Sequence, residues 1–119
     1  MPIAGRVVID DGIRAFEEVM RNLPDCDAIA FNGDVLAVGA LLQARKMEIA
    51  VPGRVAISGY GDLEFSPHVS PSLTTVHVSS YQMGFSAGQM LLKRLLDEPV
   101  GQNVVMSPIH LEVRETTSR

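Results

Sequence analysis

The chain has 119 residues, 46% hydrophobic and 20% charged, with ten basic against fourteen acidic side chains and a formal net charge of −4. That length bounds it to one domain burying roughly two-thirds of its unfolded surface, and the acidic balance excludes a phosphate-backbone binder, which needs clustered Lys and Arg. Cys26 is the only cysteine, which excludes an internal disulfide; no signal peptide opens the sequence and no apolar run approaches the ~20 residues that span a bilayer, so a cytoplasmic protein is expected.

In chain order, Val7-Val8-Ile9 reads as a short opening strand. Residues 11–23 carry Ile13, Phe16, Val19, Met20 and Leu23 at helical spacing. Asp10 or Asp11 can cap that helix and Pro24 stops it. Cys26 then reads as a small residue entering a strand over 28–31. A helix over 35–47 follows, with Val35, Leu36, Val38, Leu41 and Leu42 on several faces. Such a girth is covered on more than one side, by a core or by another chain.

Pro52-Gly53 turns the chain into a strand over 54–58, and a looser loop over 59–73 contains Pro67 and Pro71. Residues 73–78 form a third strand candidate. A helix over 81–96 draws its apolar face from Met83, Met90, Leu91, Leu92, Leu95 and Leu96. Residues 104–106 and 109–113 read as closing strands, and 114–119 as a frayed polar tail. Strands alternating with helices point to an α/β fold with a parallel sheet.

Chemistry concentrates where the strands end. The first strand runs into Asn32-Gly33-Asp34, and the second into Gly59-Tyr60-Gly61-Asp62. In open α/β sheets ligands bind beyond the carboxyl ends of strands, so these loops are expected to share one rim of a small-molecule cleft. Asn32 offers a donor and an acceptor, and Gly33 lets a ligand approach the backbone. Asp34 suits a helix N-cap, a ligand acceptor, or both. Asp62, behind Gly59 and Gly61, suits a turn aspartate bonded to its own backbone or a rim acid. Phe65 could offer a ring face to a sugar or pack in the core. His68, His77 and His110 lack metal-ligand spacing, and no nucleophile elbow or phosphate-cradling glycine loop is present.

Taken in order, Asp27-Ala28-Ile29-Ala30-Phe31-Asn32-Gly33-Asp34, Ala37-Val38-Gly39-Ala40, Val51-Pro52-Gly53-Arg54-Val55-Ala56-Ile57-Ser58-Gly59-Tyr60 and Pro71-Ser72-Leu73-Thr74-Thr75-Val76 resemble the effector-binding core of the lactose/galactose repressor family. Gly84 and the closing Leu111-Glu112-Val113-Arg114-Glu115-Thr116 match in order, and Gly61-Asp62-Leu63-Glu64-Phe65 looks most like the gluconate-operon branch.

The resemblance implies a periplasmic-binding-protein-like three-layer sandwich, present here as an incomplete fragment. It implies that residues 3–76 form much of the second lobe, 77–108 a helix and strand of the first lobe, and 109–119 a return strand and tail. It further implies a sugar or sugar-acid effector contacted by Asn32, Gly33, Asp34, Gly61 and Asp62, to which the aromatic ring of Phe65 beside the acids is added as a candidate ligand-binding residue. A homodimer would form through Val38, Leu41, Leu42 and Val69. The DNA-binding headpiece would lie outside the chain, leaving no direct DNA contact. The acid that many members place after the Gly-aromatic pair falls on Gly61 here and moves to Asp62, a departure that suits an anionic ligand.

The expectation is therefore an effector-binding and dimerisation module of a transcriptional repressor, with no catalysis, cofactor, metal or membrane contact. Two alternatives stand beside it. One is a small α/β enzyme using Asp34 and Asp62 as acid–base groups or Mg²⁺ ligands, and the other a dimer without a ligand.

Overall fold

A computed structural model describes residues 6–119; residues 3–5 of the expected second-lobe portion lie outside them. The elements run α1 (Ile9–Asn22), β1 (Ala28–Ala30), α2 (Asp34–Lys46), β2 (Ala56–Gly61), β3 (Thr74–Val78), α3 (Ser80–Leu95), β4 (Ile109–Glu112) and a 3-10 turn (Glu115–Thr117). The strands form one sheet in the order β1-β2-β3-β4. β1 and β2 run parallel with Ala30 opposite Ser58, and β2 and β3 run parallel with Ser58 opposite Thr74. The chain divides into two compact units. The first runs to His77 and resumes over Leu111–Arg119; the second is Val78–His110.

In the first unit, α1 starts two residues before its expected position. Val7-Val8-Ile9 is not a strand: Val8 is the extended N-cap residue, and the Asp11 carboxylate accepts from its backbone N–H at 3.0 Å. An acid on the first turn thus satisfies an amide that the helix cannot. α2 packs against α1 on one side and β2 on the other. Its girth is therefore explained largely within one chain. Ala37, Ala40, Leu41 and Ala44 join Phe16, Val55, Ile57 and Leu73 in the core. Gly12 and Gly39 let α1 and α2 meet backbone to backbone, since a Cβ on Gly12 would collide with the Leu36 carbonyl group and one on Gly39 with the Ile9 carbonyl.

Two expectations at the end of the chain are corrected. Residues 104–106 are irregular rather than strand, and the polar tail is anchored rather than frayed. Thr116 is fully buried; its Oγ1 accepts from Thr74 N at 2.9 Å and its N–H donates to Ser72 O at 3.0 Å. Thr116→Val, which keeps the shape and removes the hydroxyl, should cost about 1–3 kcal/mol because a buried N–H loses its acceptor. Urea denaturation checks this.

In the second unit, Ser79 Oγ caps α3 by accepting from Gln82 N at 3.4 Å. No residue of α3 is buried. Its expected apolar face is present as sequence but not covered within the described chain, with Leu91 60% and Leu95 73% exposed. Tyr81 and Phe85 stack along the helix with ring centres 6.2 Å apart.

Candidate functional site

The expected rim forms because β1 and β2 are adjacent and parallel, so their carboxyl ends lie side by side. Phe31 N–H donates to Ser58 O at 2.9 Å just beyond the last register pair, which sets Asn32-Gly33 beside the Gly59–Gly61 backbone. Asn32 is exposed, Gly33 half-buried and Phe65 37% exposed. Tyr60, near the end of β2, and Leu63, in the loop after it, are 45% and 41% exposed and add apolar surface there. The exposed side chains that these loops offer are an amide, two aromatics, a leucine and Glu64.

Asp34 takes a different part from the one its position suggested. Gly33, not Asp34, is the N-cap residue of α2, and no side chain caps it. The Asp34 carboxylate is 1% exposed and turned inward. Its Oδ2 accepts from Leu63 N–H at 2.9 Å and Ser66 Oγ at 2.6 Å, and its Oδ1 from Thr75 Oγ1 at 2.6 Å. A buried carboxylate survives because three donors replace its water. It therefore ties the loop after β1 to the loop after β2 and to β3, and its oxygens face those donors rather than the rim. Gly59 makes room for it: a Cβ there would strike Asp34 Oδ1.

Asp62 is likewise held by other elements rather than bonded to its own turn. It sits at φ 51° after Gly61 at φ 122°, both in the left-handed region. Its N–H donates to Thr75 Oγ1 at 3.3 Å. Its Oδ2 lies 2.8 Å from His77 Nδ1, and its Oδ1 accepts from Arg114 Nη2 at 2.8 Å. Partial burial pushes the Asp62 carboxyl upward, but hydrogen bonds from His77 and Arg114 outweigh it and hold the group below the usual carboxylate range. Arg114 also donates to Leu73 O at 2.9 Å.

The depressed carboxyl has a pH consequence. Its stabilising contribution is complete above the unfolded-state value of about 4 and is lost as pH falls through the lower folded-state value. Acid unfolding of Asp62→Asn should lack that portion of the pH dependence, with the difference from the parent closing at the acid end. Denaturant midpoints measured across pH would show it.

Ser66, Thr75, His77 and Arg114, the partners of the two acids, carry no site signal in the sequence. They lie 13 to 52 residues from the acids they serve, beyond any local spacing signal. Among the expected dimer residues, Leu41 is core at 8% exposed, Val38 and Val69 are half-buried, and Leu42 is 46% exposed. Leu41 therefore cannot serve mainly as an outward face, because α2 turns it toward the core cluster. Among the described residues no group of three or more His, Cys, Asp or Glu could hold a metal ion, and no helix is long and apolar enough to cross a membrane.

The family model for the periplasmic binding protein-like domain matches residues 2–117. The ribose operon repressor of Lactococcus lactis subsp. lactis is 31% identical over 83% of this chain and 30% of its own length. The regulator CelR of Thermobifida fusca is 30% identical over 94% of this chain and 33% of its own. Among solved structures, the transcription regulator GntR from Chromobacterium violaceum superposes with a TM-score of 0.89 at 30% identity, covering 94% of this chain and 41% of that one. A CelR–cellobiose complex superposes at 0.87 with 30% identity, covering 94% and 34%. The chain thus spans about a third of the length of these curated relatives. A parallel-dominated sheet, a two-loop rim at its carboxyl edge and the family model agree: the chain belongs to the periplasmic binding protein-like domain family, and the relatives it is similar to are lactose/galactose-repressor-type transcription regulators.

Proposed function

We propose that this chain supplies one wall of an effector cleft and a dimer surface for a cytoplasmic transcriptional regulator, and is not an enzyme. The observation that carries this reading is the shared rim, with Asn32-Gly33 and Gly59–Phe65 set side by side by the parallel β1–β2 register. On this reading Asn32 and the Gly33 and Gly61 backbones meet a sugar or sugar acid, Tyr60 and Phe65 lie against its C–H faces, and Asp34 and Asp62 hold the loops that do so. The roles expected for the two acids thereby become supporting ones. On the same reading residues 3–76 belong to the second lobe, 77–108 to the first, and 109–119 form the return strand and tail.

The cellobiose complex of a relative supports a carbohydrate as the ligand class. Both acids are engaged by internal donors, and Asp62 is paired with Arg114, so neither carboxylate is turned toward the ligand; Glu64 is the exposed acid of the second loop. The alternative of an Asp34/Asp62 acid–base enzyme is less well supported, because a substrate would have to displace three internal donors to reach Asp34. Dimerisation is assigned to α2 through Leu42 and Val38, together with Val69. Leu42→Glu should lower the sedimentation coefficient of a dimeric parent toward the monomer value. A thermal-shift panel of neutral sugars and sugar acids tests the effector assignment. At least one should stabilise the parent and lose its effect in Asn32→Ala; stabilisation unchanged in that variant would move the site elsewhere.

A further inference from the structure

The first unit joins the second at two places only, between His77 and Val78 and between His110 and Leu111. Asp62, on the rim loop after β2, reaches toward both. One of its oxygens lies 2.8 Å from the ring of His77, the last residue before the first connection. The other accepts at 2.8 Å from Arg114, three residues past the second. The Arg114–Asp62 ion pair is largely shielded, with 18% and 13% of the two side chains exposed, whereas the His77 side chain on the other oxygen is 38% exposed. Arg114 is locked in turn: its N–H donates to Thr74 Oγ1 at 2.8 Å, and its Nη1 to Leu73 O at 2.9 Å. The titratable and charged groups facing Asp62 are thus His77 from β3 and Arg114 from the segment after β4, with the Asp34 carboxylate one hydroxyl away through Thr75.

We propose that Asp62 is a positioning residue that keys both connections between the units to the rim loop, so that ordering or loosening of that loop is passed to both at once. A loop aspartate needed only for its turn would bond within the turn. This one makes no such bond among those described; it spends one oxygen on each connecting segment, from a left-handed backbone that aims it there. Energy passes between a loop and distant backbone when one group is shared by both and its loss releases both. That the loop is an effector loop rests on the function proposed above; the geometry of the tie does not.

Hydrogen exchange followed by mass spectrometry on the 119-residue chain tests it. Asp62→Ala should raise exchange about tenfold or more at residues 61–64, 76–79 and 110–114, as loss of charge-assisted hydrogen bonds predicts. The amides of α1, β1 and α2 should change little. Ile57→Val, a core deletion, supplies the comparison of a general loss of stability. A rise in Asp62→Ala spread over the unit as in Ile57→Val, or confined to 61–64, overturns the proposal.

Should Asp62→Ala fail to fold, His77→Ala and Arg114→Ala take its place. Each should loosen its own connection together with 61–64, and a variant that leaves 61–64 unchanged overturns the tie. Gluconate, as a sugar-acid probe, separates the two claims. Protection of 32–34 and 59–65 that reaches 76–79 and 110–114 in the parent, but not in the Asp62 variant, supports both. Protection that stays in the loops overturns the tie alone. No protection at the loops counts against gluconate as effector, and the exchange of the unliganded variants then decides the tie.

Discussion

Asp34→Ala should destabilise the chain by on the order of 4 kcal/mol, more than any other single side-chain truncation at the rim. The carboxylate is 1% exposed and accepts from Leu63 N, Ser66 Oγ and Thr75 Oγ1 at 2.6–2.9 Å. Hydrogen bonds to a charged group contribute about 1.5–3 kcal/mol each. They are not additive here, since the hydroxyls of Ser66 and Thr75 can rotate toward other acceptors. The Leu63 amide cannot, and its unpaired N–H adds a desolvation cost. Total stability for a domain of this size is about 5–15 kcal/mol, so a large share rests on this one group. Asp34→Asn keeps the shape but turns an NH₂ toward one set of donors, and should fall near half the alanine loss. Urea unfolding of both variants reads these values; an alanine loss under about 1 kcal/mol would mean that the three donors find other acceptors.

The second large effect lies at the α1–α2 crossing. Gly12→Ala places a methyl group against the Leu36 carbonyl group and Cα, and all three nearest atoms are backbone. Flexible side chains can yield to an added methyl; two packed helix backbones separate only by opening the contact along the crossing. Overpacking typically costs about 1–3 kcal/mol, and a backbone obstacle puts this variant at about 3 kcal/mol or beyond. Gly39→Ala meets Ile9 O and the Gly12 Cα from the opposite helix and should behave alike. Adding the methyl groups together should cost less than the sum, because the first has already parted the helices. Thermal midpoints of the two single variants and the double one test this, and strict additivity would show that the glycines do not share one contact.

The sequence carried the order of elements and the location of the rim, and it did so for a simple reason. The end of β1 is marked locally, where Phe31 is followed at once by Asn-Gly, but β2 does not stop at Ser58 as its glycines suggested. Gly59-Tyr60-Gly61 stay in the strand by pairing with β3, and the parallel pairing of β1 with β2 then brings the two loops to one edge. Val7-Val8-Ile9 misled because three β-branched residues read as strand, whereas Asp11 reaching back to Val8 starts a helix there. The direction of the Asp34 side chain was illegible for a longer-range reason. An acid at a strand-to-helix junction looks like a cap, and what turns it inward is Ser66 and Thr75, 32 and 41 residues away.

Arg114-Glu115-Thr116-Thr117 reads as tail by composition alone. Only the arrival of Ser72 and Thr74 beside it reveals why Thr116 is buried. The girth of α2 suggested a second chain because α1 could not be placed against it from periodicity. Small residues at Gly12 and Gly39 were the available signal for that crossing.

Amide chemical-shift mapping of the 119-residue chain, titrated with the sugar or sugar acid that the thermal panel selects, addresses the shared rim most directly. Perturbations should cluster at 32–34 and at 59–65 together, saturating with a common dissociation constant. Shifts centred instead on the groove lined by Leu41, Ala44, Ile49 and Pro71, or on one loop with the other silent, would contradict it.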